Sequence, residues 1–124
     1  MIGEVRKILT QYYDSARGKM DFKARPALII AQADPLDYVA LPVSRVSRRE
    51  NLHPIYDIEI TPDQYPDLNL PFVSYVRTHK QIVVHYMEIG AVYGNMKTSY
   101  EELYLMILEK REAFSREVTD QALG

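Results

Sequence analysis

The sequence predicts a mainly β chain, a small antiparallel β-barrel with one C-terminal helix (α+β). Three observations predict it: short Val-, Ile- and Tyr-rich segments divided by turn residues, no alternation of strand and helix patterns, and one switch to helical periodicity near residue 98. At 124 residues the whole chain, 1–124, suits one core, because halving it would leave two marginal pieces. With 47% hydrophobic and 26% charged residues it reads as globular, not as a disordered or low-complexity chain.

Residues 3–13 form the least patterned strand candidate. Residues 27–31, Ala-Leu-Ile-Ile-Ala, are an apolar run between Pro26 and the turn pair Asp34-Pro35, as expected of a buried strand. Residues 38–43 read alike, but Pro42 cannot donate to a ladder, which places this strand at an edge or breaks it into a bend. In residues 55–60, Tyr56, Ile58 and Ile60 alternate with Asp57 and Glu59, the period of a half-solvated strand. Thr61 then caps one helical turn that Pro66 ends. Residues 72–78 and 81–92 are further strands, the second expected to bend at Gly90.

The helix is predicted over about 98–118, opened by a capping box of Thr98 and Glu101. Leu103, Met106, Ile107 and Phe114 share one face, widened by Tyr104 and Leu108, and charged residues fill the other. Residues 120–124 are expected to fray.

Several function classes lose support at once. There is no cysteine, so no disulfide framework or thiolate metal site can form. His53, His79 and His85 lie apart without metal-ligand spacing, so no metal is predicted. Glycine-rich phosphate loops and a nucleophile elbow are missing, and no cofactor is implied. The first residues carry no apolar run of signal length and no stretch reaches membrane-helix length, so a soluble, cytoplasmic protein without membrane contact is expected.

The formal charge is −2, so a polyanion site would depend on charge distribution. Three basic clusters fall between predicted strands: residues 17–25, Arg45 with Arg48 and Arg49, and Arg77 with Lys80. Phe22 and His79 among them suit base stacking, and Ser44, Ser47 and Thr78 suit phosphate or ribose oxygens. The alternative is a plain solvated surface. Arg25 itself also fits a structural role, bridging strand carbonyls at a barrel rim.

Lys23-Ala24-Arg25-Pro26-Ala27-Leu28-Ile29-Ile30 resembles the Arg-Pro-Ala/Val-Leu-Val-Ile element at the second strand of the MazF/PemK (Kid-like) toxins of type II toxin–antitoxin systems. Val39-Ala40-Leu41-Pro42-Val43-Ser44 is similar to their third strand, Ile58-Glu59-Ile60 to the fourth, and Tyr75-Val76-Arg77-Thr78 to the Arg-Thr motif of the fifth. The collinear order, from about residue 25 to 114, is more specific than any single motif.

The resemblance implies an SH3-like barrel shared with CcdB toxins, a homodimer, and a sequence-preferring, metal-independent endoribonuclease acting as an mRNA interferase. Single-stranded RNA would be cleaved to a 2′,3′-cyclic phosphate and a 5′-OH, and a cognate antitoxin would occupy the same groove. Arg25 matches the catalytic arginine, and Ser44 stands where the family usually has a catalytic threonine. Lys19, Lys23, Arg45, Ser47, Arg48, Arg77, Thr78, His79 and Lys80 are the expected RNA-binding residues. Some members of the family carry an acid just before the Arg-Thr pair, where 72–75 here offers none, which leaves the second proton-transfer group open; His79, directly after Arg77-Thr78, is one candidate, and an exposed turn residue is its alternative reading. Two other readings stand beside this one: a non-catalytic CcdB-like barrel binding a protein partner or uncleaved nucleic acid, and a structural oligomerisation domain.

Overall fold

In the computed structural model, which describes every residue from Met1 to Gly124, seven strands form one antiparallel sheet that curls into a half-barrel, followed by helix. The strands are β1 (Glu4–Asp14), β2 (Lys19–Asp34), β3 (Asp37–Ser44), β4 (Asp57–Ile60), β5 (Ser74–Arg77), β6 (Ile82–His85) and β7 (Ile89–Asn95). Helix α1 (Met96–Ser99) is a single turn and α2 spans Glu101–Leu123. Neighbours run β4-β5-β3-β2-β1-β7, with β6 also paired to β3. No helix is long and apolar enough to cross a membrane.

The β1–β2 hairpin is set by its turn. Asp14 Oδ1 accepts from the amides of Ala16 and Arg17, at 3.0 and 3.3 Å, and Gly18 takes φ 65°, a left-handed conformation that glycine adopts without a Cβ clash. This turn fixes the register, so Ile8 faces Arg25, Thr10 faces Lys23 and Tyr12 faces Asp21. Most of the basic stretch 17–25, expected in a loop, is therefore strand, because the hairpin continues the pairing to Asp14–Lys19.

Pro42 does not make β3 an edge strand; it stands at a break in the pairing on one side of β3. The free side of β3 pairs with β6 through residues 37–40 and with β5 through 43 and 44, and Pro42 lies in the gap where the partner changes. The long strand expected over 81–92 is broken at Tyr86–Glu88, ahead of Gly90. There a 3-10 turn is capped by His85 Nδ1, which accepts from Met87 N, while Glu88 accepts from His85 N.

Two apolar clusters lie on opposite faces of β1–β2–β3. The larger joins Val5, Leu28, Leu41, Val43, Ile60 and Val76 to Leu103, Tyr104 and Ile107 of α2. The smaller consists of Ile8, Ala27, Ile29, Ala40 and Val84. The 3-10 turn Pro66–Leu68 lies against β7: Asn69 Nδ2 donates to Tyr93 O at 2.7 Å, and a Cβ on Gly94 would come within 2.2 Å of Asp67 O. Only glycine permits that approach.

The helix begins and ends later than expected. Thr98 belongs to α1, whose cap is Asn95 Oδ1, and Tyr100 interrupts the helix before α2 starts without a side-chain cap. α2 stays helical to Leu123. Met106 points outward at 37% exposure, because the buried stripe runs through Leu103, Tyr104 and Ile107 toward Phe114, and position 106 lies ~100° around the helix from 107.

Candidate nucleic-acid groove

Beyond Ile8 and before Ala27, the hairpin pairs only with itself, forming a two-stranded ribbon that leaves the body of the sheet. Alternation gives this ribbon two different faces. One continues the face of the smaller cluster and carries Thr10, Tyr12, Lys23 and Arg25. Pro42 and Ser44 of β3 lie on this same face, since Pro42 pairs with Ala27.

These residues line two adjoining grooves of about 350 Å³ each, which share Lys23, Arg25, Pro26 and Ser44; Ile82 borders one and Arg45 the other. Sequence reading placed Arg25 and Ser44 in one site, and they are brought together. Arg25 is exposed and makes no side-chain hydrogen bond or ion pair, so its donors are free for a ligand. Lys23 Nζ sits over the Tyr12 ring at 5.5 Å, and the Arg45 guanidinium lies 4.0 Å from the centre of the Phe72 ring. Thr10 Oγ1 donates to Lys23 O at 3.0 Å. No carboxylate lines either groove, so the side-chain charges bordering them are all positive, although Asp21 lies further along the same ribbon face and the chain is net negative.

The other expected contacts lie elsewhere. Lys19 is at the far end of the ribbon, opposite Asp14. Ser47 and Arg48 are exposed after β3 but do not border the groove, and Lys80 is exposed after β5. Thr78 is buried at 1% exposure and donates to Tyr56 O at 2.6 Å, a bond internal to the fold. Arg77 is held by Asp57, through Nε at 3.1 Å and Nη2 at 3.2 Å, and Nη2 also donates to Asn51 O. Asp57, read as a solvent-facing position of β4, has a side chain only 1% exposed beneath that pair. His79 packs among His53, Tyr56 and Phe114 and borders a separate cleft, sharing no lining residue with the Arg25 grooves. Phe22 stands on the opposite face of the ribbon from Arg25, since the two are three residues apart in one strand.

Sequence reasoning missed Tyr12, Thr10 and Ile82. The signal for the first two was present in the Asp14–Gly18 turn, which makes even-numbered residues of β1 face odd-numbered residues of β2.

The other face of the ribbon continues the face of the main core past its end. Leu9, Tyr13, Met20 and Phe22 stand on it with exposures of 42, 61, 51 and 56%, and Met87, 73% exposed, lies beside Leu9 and Ala24. An isolated two-stranded ribbon with a bare apolar face is marginal on its own and calls for a covering surface.

Fold and site together define a class: an antiparallel β half-barrel with a cationic, hydroxyl-bearing groove at the root of a projecting ribbon. No protein-family model matches the chain, and no curated protein sequence matches it.

Proposed function

We propose that the chain is an SH3-like barrel of the MazF/PemK type and an endoribonuclease that cleaves single-stranded RNA without a metal ion. The observation that carries this reading is the unpaired Arg25 guanidinium beside Ser44 in a groove whose charges are all positive. The phosphodiester backbone supplies charge for Lys23, Arg25 and Arg45, and the Tyr12 ring offers a face to an unstacked base.

RNA carries its own nucleophile. Its 2′-oxygen attacks the adjacent phosphorus, losing its proton to solvent, while the bond to the 5′-oxygen breaks and that oxygen takes up a proton. The products are a 2′,3′-cyclic phosphate and a 5′-hydroxyl. Arg25 neutralises the charge that gathers on the non-bridging oxygens, and Ser44 Oγ donates to one of them. Lys23 and Arg45 hold the flanking phosphates. The groove presents amines, guanidinia and hydroxyls, a donor set suited to anions and not to a cation. His79 has no part in this mechanism.

The ribbon's apolar face supports a homodimer, in which a second copy covers Leu9, Tyr13, Met20 and Phe22. The same face favours the alternative reading, a CcdB-like barrel that binds a protein partner without cleaving RNA. A cognate antitoxin would cover the cationic groove with an acidic segment, in the cytoplasm.

The deciding experiment incubates the purified protein with mixed-sequence single-stranded RNA in excess chelator, with Arg25→Ala alongside. Cleavage to cyclic-phosphate ends by the native chain alone is the expected result. No cleavage by either protein moves the assignment to the partner-binding barrel.

A further inference from the structure

A second concavity, between the β5–β6 connection and α2, has a volume of about 260 Å³ and is lined by His79, Gln81, Arg111, Phe114 and Ser115 among others. Its chemistry differs from that of the Arg25 groove.

His79 is oriented from behind. Its side chain is 10% exposed, and Nδ1 is buried without a hydrogen-bond partner, 3.7 Å from Asp57 Oδ1. The carboxylate favours the proton on Nδ1, which leaves Nε2, the ring's accessible nitrogen, as an acceptor. Burial holds the His79 pKa below its ordinary value, so the ring is neutral at pH 7.

Arg111 has no carboxylate partner. Its Nε donates to Gln81 Oε1 at 2.5 Å, and the remaining guanidinium donors are uncommitted. Phe114 forms an aromatic wall, fixed edge-on by Tyr56 at 5.2 Å and His79 at 6.0 Å between ring centres.

An anion would satisfy Arg111 but oppose a neutral acceptor at Nε2. An aliphatic ligand would leave both unpaired. A flat heterocycle bearing an N–H next to an acceptor satisfies both and places its face on Phe114.

We propose that this cleft binds one nucleobase, stacked on Phe114, with an N–H of the base donated to His79 Nε2 and a carbonyl or ring nitrogen accepting from Arg111. That the base belongs to the RNA strand in the Arg25 groove rests on the reading above. Gln81, bordering the cleft, immediately precedes Ile82, bordering the groove, so the two sites flank one stretch of chain. The cleft then reads a base next to the strand that the groove holds by its phosphates.

The test is an NMR titration of the native chain with each of the four nucleosides, without phosphate, and with inorganic phosphate and N-acetyl-tyrosinamide as controls. At least one nucleoside is expected to shift the amide signals of Gln81, Phe114 and Ser115 saturably, with a dissociation constant of about 1 mM. Arg111→Met and Phe114→Leu are each expected to weaken it about fivefold or more, while Arg25→Ala leaves it unchanged. Shifts confined to the Lys23–Arg25 groove, or none, overturn the proposal. Equal response to phosphate would make the cleft an anion site, and equal response to the tyrosine amide a peptide site; either also overturns it. Nucleoside binding in a chain that cleaves no RNA would leave the cleft assignment standing and remove the nuclease.

Discussion

Asp57 and Arg77 face each other across β4 and β5, and the guanidinium reaches both carboxylate oxygens, at 3.1 and 3.2 Å, while the carboxylate also accepts the His53 amide at 2.8 Å. With Asp57 buried, removal of Arg77 strands a charge. Arg77→Met is expected to cost about 3 kcal/mol in urea unfolding, and Asp57→Asn less, because Arg77 is partly exposed and can turn to solvent. The double variant should lose less than the sum of the singles. A cost for Arg77→Met near that of an ordinary surface change would show that the pair is dispensable and would return Arg77 to the pool of RNA contacts.

Ser44 lies on the surface of β3 beside Arg25 and makes no side-chain hydrogen bond within the chain. Ser44→Ala should leave the urea midpoint within the scatter of surface substitutions and reduce single-turnover RNA cleavage about 100-fold, the effect of one lost donor to a developing oxyanion. Unchanged cleavage would remove Ser44 from the mechanism.

Phe22 and Met20 stand on the bare face of the ribbon, away from Arg25. Phe22→Ser with Met20→Ser should convert a sedimenting dimer to monomer and leave the far-ultraviolet spectrum intact, since neither side chain belongs to the chain's own core clusters. If the native chain sediments as a monomer at every concentration, the face belongs to a different protein.

His79 supplies a pH dependence whose sign follows from its environment. Its folded pKa lies below the ordinary histidine value, first because of burial and then because of Arg77, His53 and Lys80, with Asp57 opposing. Arg111 faces it across the cleft, and Glu117 bonds the neighbouring Tyr56. The unfolded chain therefore binds the proton more readily. Stability is complete above the unfolded pKa of about 6.5 and is lost as pH falls through the lower folded value. Thermal midpoints between pH 7 and 5 should fall more steeply for the native chain than for His79→Gln, and parallel slopes would contradict this account.

Gly94 admits no side chain, because a Cβ would meet Asp67 O at 2.2 Å. Gly94→Ala is expected to cost about 2 kcal/mol or more, measured as a lower urea midpoint, as the Pro66–Leu68 turn is forced off β7. A neutral effect would mean that this contact contributes little to closing the half-barrel.

Much of the strand pattern was legible because it is local. The apolar run at 27–31 lies inside β2, where both faces of the sheet are covered, and the alternating segment at 55–60 contains β4, although Asp57 on its polar side is buried. The break at 86–88 was not legible as a break. It depends on His85 and Glu88 satisfying backbone groups, and valine-rich flanks conceal it. Thr98 and Glu101 have the spacing of a capping box, yet Asn95 took the cap because the chain enters the helix directly from β7.

The candidate site was legible in its two central residues and not in its surroundings. Along the chain, Arg77 and Thr78 look as available as Arg25. Their availability depends on partners far away: Asp57 claims Arg77, and the Tyr56 carbonyl claims Thr78.

The sequence by itself determined an antiparallel β architecture ending in a helix, because hydrophobic period and turn chemistry act over a few residues. Only the tertiary structure decided which charges are free and which are paired. Strand register, set by the Gly18 turn and the packing of both apolar clusters, puts Lys23, Arg25 and Ser44 around one groove and closes Arg77 over a buried carboxylate.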